Sequence, residues 1–138
     1  MEWGTDRLRA RAAYTWGRFR FVDDSAFASN AIPGAPEHQF SGEVRYTHSS
    51  GVSLAPVVEW VPGSYFVNSA NTVKNRGWVL LSARAEWQIP RTGATLFAEG
   101  RNLGNIVRST SVQVDNAAGK YFEPGDSRAL YAGFSWGR

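Results

Sequence analysis

The chain has 138 residues, enough for one domain and not for two, and its net charge of +3 comes from Arg residues scattered among Glu. That scatter excludes the basic stripe of a nucleic-acid binder, and the absence of Cys excludes disulfides and thiolate metal sites. The aromatic content of 14%, six Trp and fourteen Gly favour an all-β chain with many turns. Mean hydropathy is negative, no stretch approaches the length of a transmembrane helix, and no early apolar run looks like a signal peptide. A transmembrane barrel reads the same way, because only alternate residues face lipid.

Period-two alternation recurs in six runs. In the first, Arg7 to Phe21, Leu8, Ala10, Ala12, Tyr14 and Trp16 oppose Arg7, Arg9 and Arg11. In the second, His38 to His48, Phe40, Val44 and Tyr46 oppose Gln39, Glu43 and Arg45. The third, Val52 to Val67, sets Leu54, Val58 and Trp60 against Ser53 and Glu59, and Pro56 predicts a bulge or a frayed strand within it. In the fourth, Trp78 to Ile89, Leu81, Ala83, Ala85 and Trp87 oppose Ser82, Arg84 and Glu86, which leaves Trp78 on the charged side. The fifth, Thr95 to about Thr110, sets Leu96 and Ala98 against Glu99 and Arg101 and loses its alternation after Arg101. In the sixth, Ser127 to Arg138, Leu130, Ala132, Phe134 and Trp136 share one face.

The connections alternate in length. Val22–Glu37, Asn68–Gly77 and Ser111–Asp126 are long, whereas Ser49–Gly51 and Pro90–Ala94 are short. Long loops at one end and short turns at the other are the layout of outer-membrane barrels, with the short turns on the periplasmic side. The runs meet or exceed the roughly 9–11 residues that a strand needs to cross a bilayer. With the first, third and fifth strands rising outward, Tyr46, Trp87 and Trp136 fall at inner ends and Tyr14, Trp16 and Trp60 toward outer ends, all on the apolar face. These are two aromatic girdles at the two interfaces. The competing fold is a soluble β-sandwich, which alternates in the same way; it would bind a ligand such as a glycan, with Trp60 or Trp78 as the stacking platform.

Five segments, in order, resemble the C-terminal region of TonB-dependent receptors. They are Asn30–His38 with its two Pro, Ser69-Ala70-Asn71-Thr72, Glu99–Asn105, Phe122–Arg128 with its Pro-Gly, and Tyr131–Trp136. Glu99–Asn105 is the strongest match, with Gly104 and Asn105 standing where the family has an aromatic residue and an Asp. The resemblance implies an antiparallel up-and-down meander of about six long strands, a curled segment of a 22-stranded transmembrane barrel. It further implies an outer-membrane receptor of a Gram-negative bacterium, powered by TonB through an N-terminal plug, that takes up a scarce ligand, most often a ferric siderophore. Residues 1–138 are then the C-terminal portion of that barrel, a fragment or truncated product without plug, TonB-contacting segment or earlier strands. The family usually ends on an aromatic residue, where this chain has Arg138. Six strands are fewer than the smallest single-chain barrels of about eight, so two open edges are expected, with the aggregation hazard they carry.

In this reading Phe27, Tyr121 and Phe122 are candidates to stack on a ligand from the outer loops, and Lys74, Arg76 and Lys120 to pair with an anionic chelate. Arg7, Arg9, Arg11, Glu43, Arg45, Glu59, Arg84, Glu86, Glu99 and Arg101 face the lumen, where packing against the plug is the expected role, through cross-strand Arg–Glu pairs. Arg101-Asn102 is expected to close a hydrogen-bond network inside the wall. Neither a cofactor nor a resident metal is expected, because His38 and His48 bracket one strand ten residues apart and cannot share an ion. Asp23-Asp24 reads as a solvated turn. No nucleophile elbow, phosphate loop or zinc-protease motif is present. A barrel enzyme would need a Ser or Asp bonded to one of the two His.

Overall fold

The computed structural model describes residues 1–137. The strands in chain order are β1 (Glu2–Gly4), β2 (Leu8–Trp16), β3 (His38–Thr47), β4 (Val52–Val61), β5 (Tyr65–Phe66), β6 (Lys74–Asn75), β7 (Trp78–Ile89), β8 (Ala94–Arg101), β9 (Ser109–Val112), β10 (Phe122–Pro124) and β11 (Ala129–Trp136). One seven-stranded antiparallel sheet takes the order β1-β2-β3-β4-β7-β8-β11, and β5–β6 and β9–β10 form two small separate hairpins. The six long runs are therefore the six long strands of a meander. β1 adds a seventh, three-residue member, too short for alternation to reveal, pairing Trp3 with Ala10.

Cross-strand rows show how alternation becomes two faces. Leu8, Tyr46, Leu54, Ala85, Ala98 and Ala132 lie in register across all six long strands. Val52, Trp87, Leu96 and Phe134 form a second row toward the short turns, and Tyr14, Phe40, Trp60 and Val79 a third toward the long loops. This apolar face has no second layer over it: Leu81 is 52% exposed and Phe134 and Trp136 are each 73% exposed. A sandwich would bury these side chains against another sheet, so that alternative is corrected. Trp60 and Trp78 lie on opposite faces and cannot form one platform, since Trp60 pairs with Val79 and Trp78 with Val61. Both aromatic girdles occupy the apolar face at the expected ends.

Several boundaries differ from the sequence reading, each for a physical reason. β2 ends at Trp16 rather than Phe21, because the segment beyond it folds back on itself: Phe21 N donates to Asn30 O and Ile32 N to Phe19 O. β4 ends at Val61, where Pro62-Gly63 follows, and Tyr65–Phe66 turn away to pair with β6. β8 ends at Arg101 because Asn102 adopts a left-handed φ of 47°. Pro56 makes no bulge: the register to β7 runs unbroken through Pro56 and Ala83, and the register to β3 is the same on either side of it. Its missing N–H leaves instead a gap in the β3 ladder opposite Val44 and Arg45. Arg138, the expected end of the sixth run, lies outside the described residues.

Candidate functional site

The polar face holds nine of the ten charged residues expected to share it; the tenth, Arg7, precedes β2. Arg9 lies opposite Arg45, Arg11 opposite Glu43, Glu59 opposite Ser41, and Arg84 opposite Glu99. Five of them form one ionic chain of alternating sign across β3, β7 and β8. Arg45 reaches Glu86 at 3.3 Å, Arg84 donates to Glu86 at 2.6 Å and to Glu99 at 3.1 Å, and Arg101 donates to Glu99. The Arg84 guanidinium also lies 4.5 Å from the Phe97 ring and that of Arg101 5.3 Å from Tyr131. With Arg84 39% exposed, solvent screening keeps each pair weak in water. The other four stand outside this chain: Arg11 turns to Glu2 at 3.5 Å, and Arg9, Glu43 and Glu59 make no ion pair among the described residues.

Of Arg101-Asn102, expected to close a hydrogen-bond network inside the wall, Arg101 ends the ionic chain at Glu99, whereas Asn102 does not join it. Its side chain instead pins the exit of β8, with Nδ2 donating to Ile106 O at 2.9 Å and Asp126 O at 3.0 Å, and Oδ1 accepting from Ile106 N at 2.8 Å. The neighbouring Asn105 accepts from Arg128 N and so ties the same loop to the start of β11.

Besides Ala55, Val61 and Leu80 in the sheet, a second group of buried residues sits at the long loops. Val67 is fully buried, and Asn68, Ser69 and Asn75 are buried beside it. Asn71 exchanges two bonds with Ala31, Nδ2 donating to its O and Oδ1 accepting from its N, and Asn30 Nδ2 donates to Ser69 O. Asp115 closes the third side: Oδ1 accepts from Ser69 N at 2.7 Å and Oδ2 from Ser69 Oγ at 2.6 Å. These bonds hold the Asp115 carboxyl below its ordinary value, and the hydroxyl of Ser111 and amide of Gln113 do the same for Glu123. All three loops are thereby joined into one unit. Gly34, at a φ of 76°, lies where an added Cβ would meet Val114 at 2.9 Å.

Against this unit lies a cleft of about 410 Å³ between β6 and the β9–β10 hairpin, lined by Lys74, Arg76, Arg108 and Phe122 among others. It brings together three of the six expected ligand contacts. Lys74 Nζ sits 4.7 Å from the Phe66 ring, and Phe122 is 45% exposed. Phe27 does not line it; this ring packs against Phe21 in the first loop, 5.2 Å between centroids. Lys120 and Tyr121 lie outside it as well, with Tyr121 set edge-on to Phe122. Arg108 was missed by sequence reasoning because alternation has failed by that point. It lies 4.8 Å over Trp78, the Trp that the fourth run leaves on the charged side.

The two His form no metal centre, and no cluster of three metal-ligating residues exists among the described residues. His38 Nδ1 bonds the Tyr14 hydroxyl at 2.7 Å. His48 Nδ1 bonds Ser50 Oγ at 2.8 Å, the contact a barrel enzyme would need. This one lies within an exposed four-residue turn, where Ser50 N also donates to the same nitrogen, and among the described residues no third group hydrogen-bonds the ring. Asp24 caps its own turn, Oδ1 accepting from Ala26 N and Phe27 N.

Comparison with known proteins places these features in context. The family described as TonB dependent receptor-like, beta-barrel matches residues 1–103. The ferrichrome receptor FcuA of Yersinia enterocolitica is 28% identical over 126 residues, covering 90% of this chain and 16% of that receptor. The siderophore receptor PiuA from Acinetobacter baumannii superposes with a TM-score of 0.77 at 17% identity, over 93% of this chain and 19% of its own. The ferric citrate transporter FecA in its unliganded form gives 0.77 at 20% identity, over 92% and 20%. The chain thus spans a fifth or less of the relatives it matches.

Proposed function

Since the chain belongs to the TonB-dependent receptor β-barrel family, we propose that it supplies wall and outer mouth to a receptor that takes up a scarce ligand, a ferric siderophore, with energy from TonB. Barrels of this family sit in the outer membrane of Gram-negative bacteria. In this reading residues 1–138 are the C-terminal portion of the barrel. Its remaining strands and an N-terminal plug complete the lumen, and TonB acts through the plug rather than through this chain. The relatives are named as receptors and a transporter, in keeping with transport rather than catalysis.

The observation that carries the reading is the division of one sheet into a continuous apolar face with no second layer over it and an opposite face that carries the charged residues. Such a sheet is stable where acyl chains cover one side and an aqueous, protein-filled cavity the other. The ionic face, with Arg9, Glu43 and Glu59 unengaged, is the surface on which a plug packs. The outer loops, with Phe27, Lys74, Arg76, Lys120, Tyr121 and Phe122, are where ligand is captured. The test is uptake of radiolabelled iron by iron-starved cells with and without the receptor that carries this sequence. Deletion is expected to abolish uptake from at least one ferric chelate; unchanged uptake from every chelate class overturns the proposal.

A further inference from the structure

The cleft between β6 and the β9–β10 hairpin carries more information than its position. Its three cations, Lys74, Arg76 and Arg108, have no carboxylate within ion-pair distance among the described residues. The two carboxylates of the β9–β10 hairpin are already engaged, Glu123 by Ser111 and Gln113 and Asp115 by Ser69. On the sheet, by contrast, clustered cations are interleaved with carboxylates, as in the alternating chain from Arg45 to Arg101. Gathering like charges around one concavity is unfavourable unless an anion enters it.

Arg108 is the most constrained of the three. Its guanidinium lies over Trp78 at 4.8 Å, and its Nε is shut from solvent without a partner. The protein bond it does make, from Nη1 to Ser109 O, is long at 3.4 Å. A stacked, planar guanidinium with spare donors is pre-organised for oxygen anions in a way that a mobile ammonium is not. The volume of about 410 Å³ lies within the range of small-molecule sites, and Phe122 offers an apolar wall.

We infer that this cleft selects a ferric chelate of net negative charge, whose donor atoms are catecholate or carboxylate oxygens, over an electroneutral hydroxamate chelate, with Arg108 as the specificity-determining residue. The inference rests on the receptor reading above and adds the charge class of the cargo. Ferric iron bound by three catecholates is a trianion, whereas ferric iron bound by three hydroxamates is neutral, so the two differ chiefly in what these cations read.

The experiment uses the receptor carrying this sequence in outer-membrane vesicles, with a radiolabelled ferric tris-catecholate and a ferric tris-hydroxamate of similar size as probes. At low salt the catecholate is expected to bind about tenfold more tightly or better, with the preference shrinking as salt rises. Arg108→Gln and the double change Lys74→Gln, Arg76→Gln are expected to remove most of the preference, Arg108→Lys part of it, and Arg91→Gln at a short turn none. Equal affinity for the two probes in the unmodified receptor, or a preference insensitive to salt, overturns the charge selection and leaves the receptor reading standing. Binding of neither probe, together with unchanged iron uptake on deletion, overturns that reading instead. Because the salt series needs no substitution, a variant that fails to assemble does not spare the inference.

Discussion

Asn102, just past the end of β8, carries both a backbone and a side-chain task. It ends β8 by adopting a left-handed φ of 47° and then satisfies three backbone groups of the loop that follows. Asn102→Ala is expected to destabilise the folded protein in detergent by about 1–3 kcal/mol, through lost bonds and strain together. Asn102→Gly, which keeps the backbone freedom and loses the bonds, separates the two. A shift of the urea midpoint below about 0.5 kcal/mol for the Ala variant, no more than an ordinary surface change, would remove this role. Asp115 gives a pH-dependent counterpart. Its carboxyl is held below the ordinary 3.8 by Ser69, so its contribution is complete above that value and is lost as pH falls through the lowered folded value. Exchange of the Ser69 amide should therefore stay slow at neutral pH and quicken only in strong acid, whereas in Asp115→Asn it should be faster at every pH. An amide indifferent to both changes would show that the contact bears no load.

At the scale of the strand, the two faces make opposite demands. Leu81 is central in β7 on the apolar face, and Ser41 lies on the charged face opposite Glu59. Leu81→Arg should cost about 2–4 kcal/mol and impair membrane assembly, whereas Ser41→Arg gains an acidic neighbour and should be tolerated. The check is heat-modifiable gel mobility after assembly; equal loss in both variants would contradict the assignment of faces. The same alternation made the long strands legible in the sequence, β7 to the residue and β3 to within one. Where a strand gives way to a loop the reading failed, because the deciding bonds join residues far apart in the chain. Asn71 meets Ala31 across 40 residues and Ser69 meets Asp115 across 46, and periodicity holds no record of either. The motif around Asn71 was visible, but its task was not. The site divides in the same way: Lys74, Arg76 and Phe122 could be proposed as loop cations and a loop aromatic, whereas Arg108 matters only because β9 returns it to the face of Trp78.

The sheet is open, bordered by β11 on one side and by β2 with its short companion β1 on the other. β11 pairs with β8 along its whole length and leaves its far side unpaired. By itself in detergent the chain should associate through these borders, giving particles larger than one copy per micelle in light scattering. Gly137 N donates to Gly93 O, so the even-numbered residues of β11 present their N–H outward, and Ala132→Pro should reduce the particle size. Monodisperse single copies of the unmodified chain would mean the borders are already protected.

The joined loops bear on what a visitor from outside encounters. A rim woven from separate strings would have to be brought to order each time cargo arrived, at about 0.5–1.5 kcal/mol for each long side chain stilled. Here Asn71, Ser69 and Asp115 have already done that stilling. In the receptor reading proposed above, such an entrance is a cast socket rather than a net, and its hold on cargo follows from how well the shape and charge of the guest match those of the mould.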